Sequence, residues 1–257
     1  MAVILDAQAL CKSFGAVTAA ADVSAAIERD SVVGLIGTNG AGKTTFINMI
    51  TGYLKPDRGA IRYEGRDITR LPPRAITRLG ICRSFQIPQL YGSLSVFDNM
   101  MVGIGIMLRN AGLAGYFSRR EASVPGFGRP PREVAEQLLG RFGLLEDRAR
   151  NAQVLPGGAR KLLDIALTMV AKPRVLLLDE PTSGVSAEEK FGIMQMVLDA
   201  ARAEGATVLF VEHDMEVVSR FAQRVLAFYD GRIIADAAPQ AALADPQVKR
   251  YVVGIRA

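Results

Sequence analysis

The chain has 257 residues, enough for one large domain or two small ones, and 49% hydrophobic with 22% charged residues is typical of a soluble globular protein. Its longest apolar run, Met100 to Met107, is much shorter than the roughly 18 residues that a membrane span needs, and the N-terminus does not show the pattern of a secretion signal. Cys11 and Cys82 are too few for a disulfide framework, so we expect a reducing, cytoplasmic compartment.

The start of the chain predicts a β-layer that leads into a phosphate-binding loop. About 30 residues of short apolar runs separated by polar turns indicate antiparallel strands. The apolar run Ser31–Ile36 then precedes GTNGAGKTT at Gly37–Thr45, and the apolar Phe46–Ile50 follows it. A buried strand that enters a glycine-rich loop and leaves as a helix is the setting of such a loop.

The residue types in this loop suit the phosphates of a nucleotide. Gly37, Gly40 and Gly42 permit positive φ angles, which let the backbone N–H groups point inward. Lys43 can reach the β- and γ-phosphates, the Thr44 hydroxyl can bind Mg²⁺, and the positive end of the following helix faces the same anion. The predicted nucleotide contacts are Gly37, Thr38, Asn39, Gly40, Ala41, Gly42, Lys43, Thr44 and Thr45. A chance glycine-rich turn is the alternative, and the complete pattern in this setting argues against it.

An arginine-rich stretch follows. The range Arg58–Arg83 holds seven arginines and two acidic residues, which equals the net charge of +5 of the whole chain. Arg70, Arg74 and Arg78 are spaced to share one helix face. Contact with nucleic acid or lipid headgroups is one interpretation. We favour a solvated helix face, because no aromatic residues alternate with these arginines.

The rest of the chain predicts an α/β frame interrupted by a helical unit. The predicted elements are a strand and turn at Gly59–Gly65, a short helix after Leu71–Pro73, a strand at Ile81–Gln86, helices at Val96–Leu108 and Arg132–Phe142, an irregular segment at Arg109–Pro131, strands at Arg174–Asp179 and Ala206–Val211, a helix carrying Phe191, Met194, Leu198 and Ala201, a hairpin of Val225–Tyr229 with Arg232–Ala235, and a helical end. Residues 88–171 therefore form a mostly helical insertion.

Several polar residues lie at predicted strand ends, where open α/β sheets bind ligands. Asp179 could hold Mg²⁺, and Glu180 could orient or deprotonate a water, although two acids that cap a turn are the alternative. His213, the sole histidine, could reach a γ-phosphate, and Gln86 could contact Mg²⁺ or the water. Phe14 could stack on a nucleobase or be a core aromatic; the residues alone do not decide between the two.

Taken in order, these features resemble the ATP-binding subunit of ATP-binding cassette (ABC) transporters over essentially the whole chain. The motifs are Phe14, Gly37–Thr45, Gln86, LPGGARK at Leu155–Lys161, VLLLDEP at Val175–Pro181, SGVS at Ser183–Ser186 and His213. The resemblance implies Phe14 as the adenine-stacking residue, Gln86 as the Q-loop glutamine, Glu180 as the catalytic carboxylate, His213 as the switch histidine and Ser183–Ser186 as the D-loop.

The resemblance also implies a fold: a P-loop NTPase of the ABC ATPase type, with an antiparallel β-layer and an inserted α-helical subdomain. Residues 1–257 would form one such domain. Residues 1–87 and 172–257 would form the RecA-like core with the β subdomain, and residues 88–171 would form the helical subdomain that carries the signature motif.

Within the family, the chain is most similar to the ATPases of branched-chain amino acid (Liv-type) importers. The long insertion between Val96 and Ala152 and the tail Leu243–Gly254 are both in the style of that group. The implied ligands are ATP and Mg²⁺. The implied partners are a second ABC ATPase in a homo- or heterodimer, membrane-spanning permease subunits and, indirectly, a substrate-binding protein. The implied location is the cytoplasmic face of the inner membrane.

The signature motif departs from the family pattern. The usual LSGGQ is Leu155-Pro-Gly-Gly-Ala159 here, so a serine hydroxyl that would touch ATP on the opposite subunit is missing. Pro156 has no N–H but suits the first turn of a helix, and Gly157 and Gly158 still offer donors in trans. Losing one hydrogen bond to a charged group costs about 1.5–3 kcal/mol. A catalytically weak subunit with a stronger partner therefore stays open as an alternative. The arginine-rich stretch keeps open a second one, a non-transport cassette acting on nucleic acid or the ribosome.

Overall fold

The computed structural model describes residues 2–84, 89–110 and 123–254. The strands are β1 (Val3–Phe14), β2 (Val17–Glu28), β3 (Val32–Gly37), β4 (Arg58–Tyr63), β5 (Arg66–Asp67), β6 (Ile81–Arg83), β7 (Val175–Asp179), β8 (Thr207–Val211), β9 (Arg224–Tyr229) and β10 (Arg232–Ala237). The helices are α1 (Lys43–Ile50), α2 (Pro73–Arg78), α3 (Val96–Asn110), α4 (Pro131–Arg141), α5 (Gly157–Met169), α6 (Lys190–Ala203), α7 (Met215–Phe221), α8 (Pro239–Ala244) and α9 (Pro246–Val248). A 3₁₀ turn at Ala152–Val154 precedes α5, and a π-helical turn at Lys249–Val253 follows α9.

The strands form two sheets. The order β2-β1-β4-β5 makes an antiparallel sheet, as predicted for the start of the chain, and the order β10-β9-β3-β8-β7-β6 makes the central sheet. The central pairs are parallel apart from the β9–β10 hairpin. Every residue of β3, β7 and β8 is buried, which explains their uninterrupted apolar sequences. The predicted P-loop fold with an antiparallel layer and a helical insertion is confirmed.

Alternate residues of the central strands belong to two different cores. Val33 and Leu35 of β3 belong to a core shared with the antiparallel sheet and α1. Val32 and Ile36 belong to the other core, which includes α3, α4, α5 and α6. Because side chains alternate between the two faces of a strand, β3 lies between the two cores. The nucleotide loop, which follows β3, therefore begins where the two layers meet.

The described part of the predicted insertion contains three α-helices, α3, α4 and α5. Met100 of α3, Leu138 of α4 and Leu163 of α5 are each at most 1% exposed and belong to one core cluster. The predicted helices at Val96–Leu108 and Arg132–Phe142 match α3 and α4 to within two residues at each end. Part of the predicted irregular segment, residues 111–122, lies outside the described residues. Within the described part of the chain, no helix combines the length and apolar character that crossing a membrane requires.

Two sequence predictions around the arginine-rich stretch need correction. Arg70 lies in a turn before Pro72, and α2 begins only at Pro73, so Arg70 does not share a helix face with Arg74 and Arg78. Leu71 and Pro72 each stand directly before a proline and are biased away from helical geometry, so no helix runs from Arg70 to Arg74. The strand predicted to reach Gln86 ends at Arg83, and Gln86 itself lies outside the described residues.

Candidate functional site

The loop after β3 has the backbone geometry that its glycines predict. The φ angles of Gly37, Gly40 and Gly42 are +152°, +81° and +106°. A Cβ on Gly37 would lie 2.5 Å from the carbonyl oxygen of Phe228, and one on Gly42 would lie 2.7 Å from that of Ala19. Glycine is therefore required at both positions by conformation and by space.

Helix α1 begins at the end of this loop and directs its N-terminus toward it. Its first internal hydrogen bond runs from the N–H of Phe46 to the carbonyl of Gly42, at 2.9 Å. The N–H groups of Lys43, Thr44 and Thr45 thus belong to the first helical turn, which has no intrahelical acceptor for them. Thr38, Asn39, Gly40 and Thr44 are exposed, whereas Ala41 is buried. The loop presents backbone donors and a helix dipole to an anion.

The Lys43 side chain folds over the loop. Its Nζ donates to the carbonyl oxygens of Gly37 at 2.6 Å and Thr38 at 2.9 Å. Burial lowers the pKa of Lys43, and the carboxylates of Glu180 and Asp179 oppose that shift. An ammonium has three N–H donors, so the two carbonyls leave one for a phosphate oxygen.

Asp179 ends β7 and is held by an arginine. Its Oδ2 lies 2.5 Å from Nη2 of Arg83, and both side chains are 9% exposed. Nη1 of the same arginine donates to Oδ1 of Asn48 on α1 at 2.6 Å. Arg83 therefore connects β6, β7 and α1 beneath the loop, a role that its place in the arginine-rich stretch did not predict.

Glu180 and His213 meet just beyond two neighbouring strands. Asp179 of β7 pairs with Val211 of β8, so the residues that follow each strand emerge side by side. Nε2 of His213 lies 3.2 Å from Oε1 of Glu180, and the side chains are 45% and 21% exposed. Glu180 has φ +49°, a left-handed conformation that is uncommon for a residue other than glycine.

Phe14 lies at the tip of the β1–β2 hairpin. Its ring is 53% exposed, which rules out the core alternative. Nζ of Lys12 lies 5.7 Å from the ring centroid and pairs with Asp57 at 2.6 Å. The same hairpin reaches the nucleotide loop at Ala19, whose carbonyl faces Gly42. An exposed aromatic beside a phosphate loop is suited to stack on a base.

The segment Pro156–Gly158 lies at the start of α5. Pro156 occupies the cap position before Gly157, and its carbonyl accepts a hydrogen bond from the N–H of Arg160 at 3.0 Å. The sequence suggested a place in the first turn, whereas the structure puts the proline just before it. Pro156 and Gly157 are exposed, and Gly158 is half-buried beside Val185. The proline leaves intact the N–H groups of the following glycines at the helix start.

A comparison with known proteins assigns the family. The profile of the family described as ABC transporter matches residues 20–183, more than half of the chain. This chain belongs to the ABC transporter family. The prediction of an ABC ATPase subunit is confirmed, and with it the prediction that the chain binds nucleotide.

Individual relatives cover nearly all of this ABC ATPase. It is 34% identical to the high-affinity branched-chain amino acid transport ATP-binding protein BraF of Pseudomonas aeruginosa, over 98% of both chains. It is 32% identical to LivG of Escherichia coli, of the same description, again over 98% of both chains. The lipopolysaccharide export ATP-binding protein LptB of Acidithiobacillus ferridurans is also 32% identical, over 99% of this chain and 98% of that protein. A solved structure, the ADP conformation of the ATP-binding cassette MJ1267, has 30% identity and a TM-score of 0.82, covering 99% of this chain and all of that one.

Sequence reasoning missed three buried residues of this ABC ATPase. Arg83 binds Asp179 as described above. Lys161 on α5 is 2% exposed and donates from Nζ to the carbonyl of Asp179 at 3.1 Å. Glu212 is 4% exposed and accepts hydrogen bonds from Thr182. The only sequence signal for Glu212 was its place next to His213.

Proposed function

We propose that this ABC ATPase powers an importer for branched-chain or related amino acids. The observation that carries its catalytic part is the Glu180–His213 pair at 3.2 Å, beside a phosphate loop with a buried lysine. A carboxylate and an imidazole at this position suit the activation of a water and the sensing of a γ-phosphate. The substrate class is supported by BraF and LivG, both named for branched-chain amino acid transport, and by the Liv-like insertion and tail.

The described residues divide the work of hydrolysis. Phe14 stacks on the base, while the loop N–H groups and Lys43 hold the phosphates. Glu180 accepts a proton from the attacking water or orients it, and His213 contacts the γ-phosphate. Phosphoryl transfer needs positioning and charge stabilisation more than covalent chemistry, and this set supplies both.

Mg²⁺ fits the donors that the site offers. The Thr44 hydroxyl and the Asp179 carboxylate would hold it, with Gln86 as the further ligand that the sequence predicts. Among the residues that the structure describes, no group of three or more His, Cys, Asp or Glu could hold a metal ion. Mg²⁺ keeps several waters and is bound by one or two protein oxygens together with substrate phosphates, and the hydroxyl and carboxylate oxygens of Thr44 and Asp179 are of that kind. When bound, the ion neutralises the charge of the phosphates.

A two-fold dimer would complete the site. Pro156, Gly157 and the segment Ser183–Ser186 have exposed residues and lie together, since a Cβ on Gly157 would be 3.4 Å from the Gly184 carbonyl. The start of α5 presents N–H donors to solvent, and a second cassette, identical or different, would bring them to the γ-phosphate bound by its partner. Hydrolysis would then reopen the dimer.

A groove beside the helical insertion would receive the permease. It has a volume of about 940 Å³ and lies between α2 and β6 on one side and α3 and α5 on the other. Ile106 and Tyr53 line it and are 40% and 59% exposed, while Arg74 and Arg78 add positive charge. An amphipathic cytoplasmic segment of a membrane subunit matches this mixture of apolar and basic surface. Binding there would locate the ATPase at the cytoplasmic face of the inner membrane.

A second candidate is a catalytically weak subunit in a heterodimer. The observation in its favour is Pro156 at the cap of α5 together with Ala159, in place of the usual serine and glutamine. A cassette acting on nucleic acid is disfavoured, because Arg83 is buried on Asp179 and Arg70 lies off the α2 face. The arginines of this stretch therefore do not form one continuous basic surface that could bind nucleic acid.

Transport by reconstituted complexes tests the proposal. The chain would be co-expressed with a candidate permease, purified as a complex, and placed in lipid vesicles. ATP would be supplied on the cassette side of the membrane, and the substrate-binding protein on the opposite side. We expect leucine, isoleucine or valine uptake that requires ATP and is absent with Glu180→Gln. Efflux of substrate, or a complex that forms without any membrane subunit, would overturn the importer.

A further inference from the structure

A buried carboxylate joins the two loops that carry Glu180 and His213. Glu212 follows β8 directly and is 4% exposed. Its Oε1 accepts hydrogen bonds from the N–H of Thr182 at 2.9 Å and from the Thr182 hydroxyl at 2.7 Å. Its Oε2 accepts one from the N–H of His213 at 3.3 Å. One side chain thus contacts both loops beneath the Glu180–His213 pair.

The loop after β7 is a tight turn that hydrogen bonds hold at both ends. The N–H of Glu180 donates to the carbonyl of Val211 at 3.0 Å, and the N–H of Ser183 donates to the carbonyl of Glu180 at 3.1 Å. Glu180, which takes part in both hydrogen bonds, adopts a strained positive φ of +49°. Strained residues persist where the surrounding structure holds them in place. The bonds from Glu212 hold Thr182, at the far end of this turn.

Because Glu212 is buried, losing one of its hydrogen bonds is costly. A carboxylate only accepts hydrogen bonds, and inside a protein each lost donor leaves a desolvated oxygen. The Lys161 ammonium, also buried, interacts electrostatically with Glu212 and donates to the carbonyl of Asp179. Because the donors of Glu212 come from both loops, neither loop can shift without stretching a bond to the other.

We propose that Glu212 is a positioning residue that couples the turn carrying Glu180 to the loop carrying His213. The coupling extends through Thr182 to the exposed segment Ser183–Ser186. It rests on the proposed ATPase function, since ATP is the ligand that would act on both loops at once. A movement of His213 on contact with the γ-phosphate then moves Glu180 and the segment that would face a second cassette.

Two substitutions at Thr182 form a matched test. Thr182→Val keeps the side-chain shape and removes the hydroxyl, whereas Thr182→Ser keeps the hydroxyl and removes a methyl group. Loss of one hydrogen bond to a charged group predicts a fall in kcat of about tenfold for Thr182→Val. Affinity for a fluorescent ATP analogue should stay near wild type, because the side chain of Thr182 hydrogen-bonds to Glu212 and not to a nucleotide-binding group. Thr182→Ser should retain most of kcat.

Glu212→Gln completes a double-mutant cycle. It replaces an acceptor by an amide that cannot accept from both loops, so kcat should again fall about tenfold. The double variant Thr182→Val with Glu212→Gln should be little worse than either single variant, because both changes break the same link. Multiplied losses would show two independent effects and would overturn the coupling. The Thr182 pair remains decisive if Glu212→Gln does not fold.

The imidazole of His213 provides a readout that does not depend on activity. It is the only histidine in the 257 residues, so tag-free protein labelled with ¹³C at Cε1 of histidine gives one ring signal. We expect this signal to shift in Thr182→Val and to stay at its wild-type position in Thr182→Ser. An unmoved signal in Thr182→Val would overturn the coupling, whereas an inactive wild type with a moved signal would overturn only the proposed ATPase role.

Discussion

Nε2 of His213 lies 3.2 Å from Oε1 of Glu180, across the gap between the loops that follow β7 and β8. Parallel pairing of Asp179 with Val211 puts the two residues side by side. Both side chains reach solvent, while Asp179 and Glu212 beside them are buried. A γ-phosphate or an attacking water would therefore compete for this hydrogen bond, which makes the pair responsive to nucleotide.

Removing the carboxylate charge of Glu180 should separate binding from turnover. Glu180→Gln keeps the size of the side chain but cannot accept a proton, and general-base catalysis contributes about 10²–10⁴-fold. We expect kcat to fall by that factor while affinity for a fluorescent ATP analogue is retained. Steady-state phosphate release and a binding titration would measure the two. Undiminished hydrolysis would remove Glu180 from its role.

The parts of this site that could be predicted are those formed by local sequence. The glycine loop and the apolar strands β7 and β8 carry their own patterns, so their positions follow from spacing alone. Arg83 and Asp179 are 96 residues apart, and Glu212 and Thr182 are 30 apart. Only the sheet order brings such pairs together. No periodicity in the chain records that order, so the sequence did not predict the contact of Arg83 with Asp179.

Restoring the signature serine tests whether Pro156 limits the second half of the ATP site. Pro156→Ser at the cap of α5 supplies a hydroxyl that can reach a γ-phosphate on the partner and can also cap the helix. A hydrogen bond to a charged group is worth about 1.5–3 kcal/mol, so ATPase activity of the assembled complex should rise by roughly ten- to a hundredfold. Pro156→Ala is the control, since it removes the ring without adding a hydroxyl. Equal rates for the three proteins would show that the proline is not limiting.

The groove beside α3 can be tested with one charge. Ile106→Glu places a carboxylate on its apolar lining, and an unpaired charge in an apolar interface is strongly unfavourable. We expect the amount of permease that co-purifies to fall about tenfold or more, with the basal ATPase rate unchanged. Leu145→Glu is the matched control, because Leu145 is similarly exposed, at 38% against 40%, and does not line the groove. Equal loss of permease with both variants would contradict docking in the groove.

The ion pair of Arg83 with Asp179 predicts a link between stability and Mg²⁺. Arg83→Met leaves a buried carboxylate without this partner, and breaking a buried pair costs about 3–5 kcal/mol, or roughly 6–20 °C in Tm. We expect the lower end, because Lys43 and Lys161 also lie electrostatically close to Asp179.

Adding nucleotide with Mg²⁺ should raise the Tm of Arg83→Met by more than it raises the Tm of the wild type. The reason is that the cation no longer competes with the guanidinium for Asp179 and stabilises the folded chain by binding to it. Thermal unfolding with nucleotide in Mg²⁺ and in EDTA would measure the difference, with Arg83→Lys as the variant that keeps the charge but loses the planar fork. A gain in Tm that is the same in both solutions would show that Asp179 does not bind the metal, and Arg83 would then serve only to hold β6, β7 and α1 together.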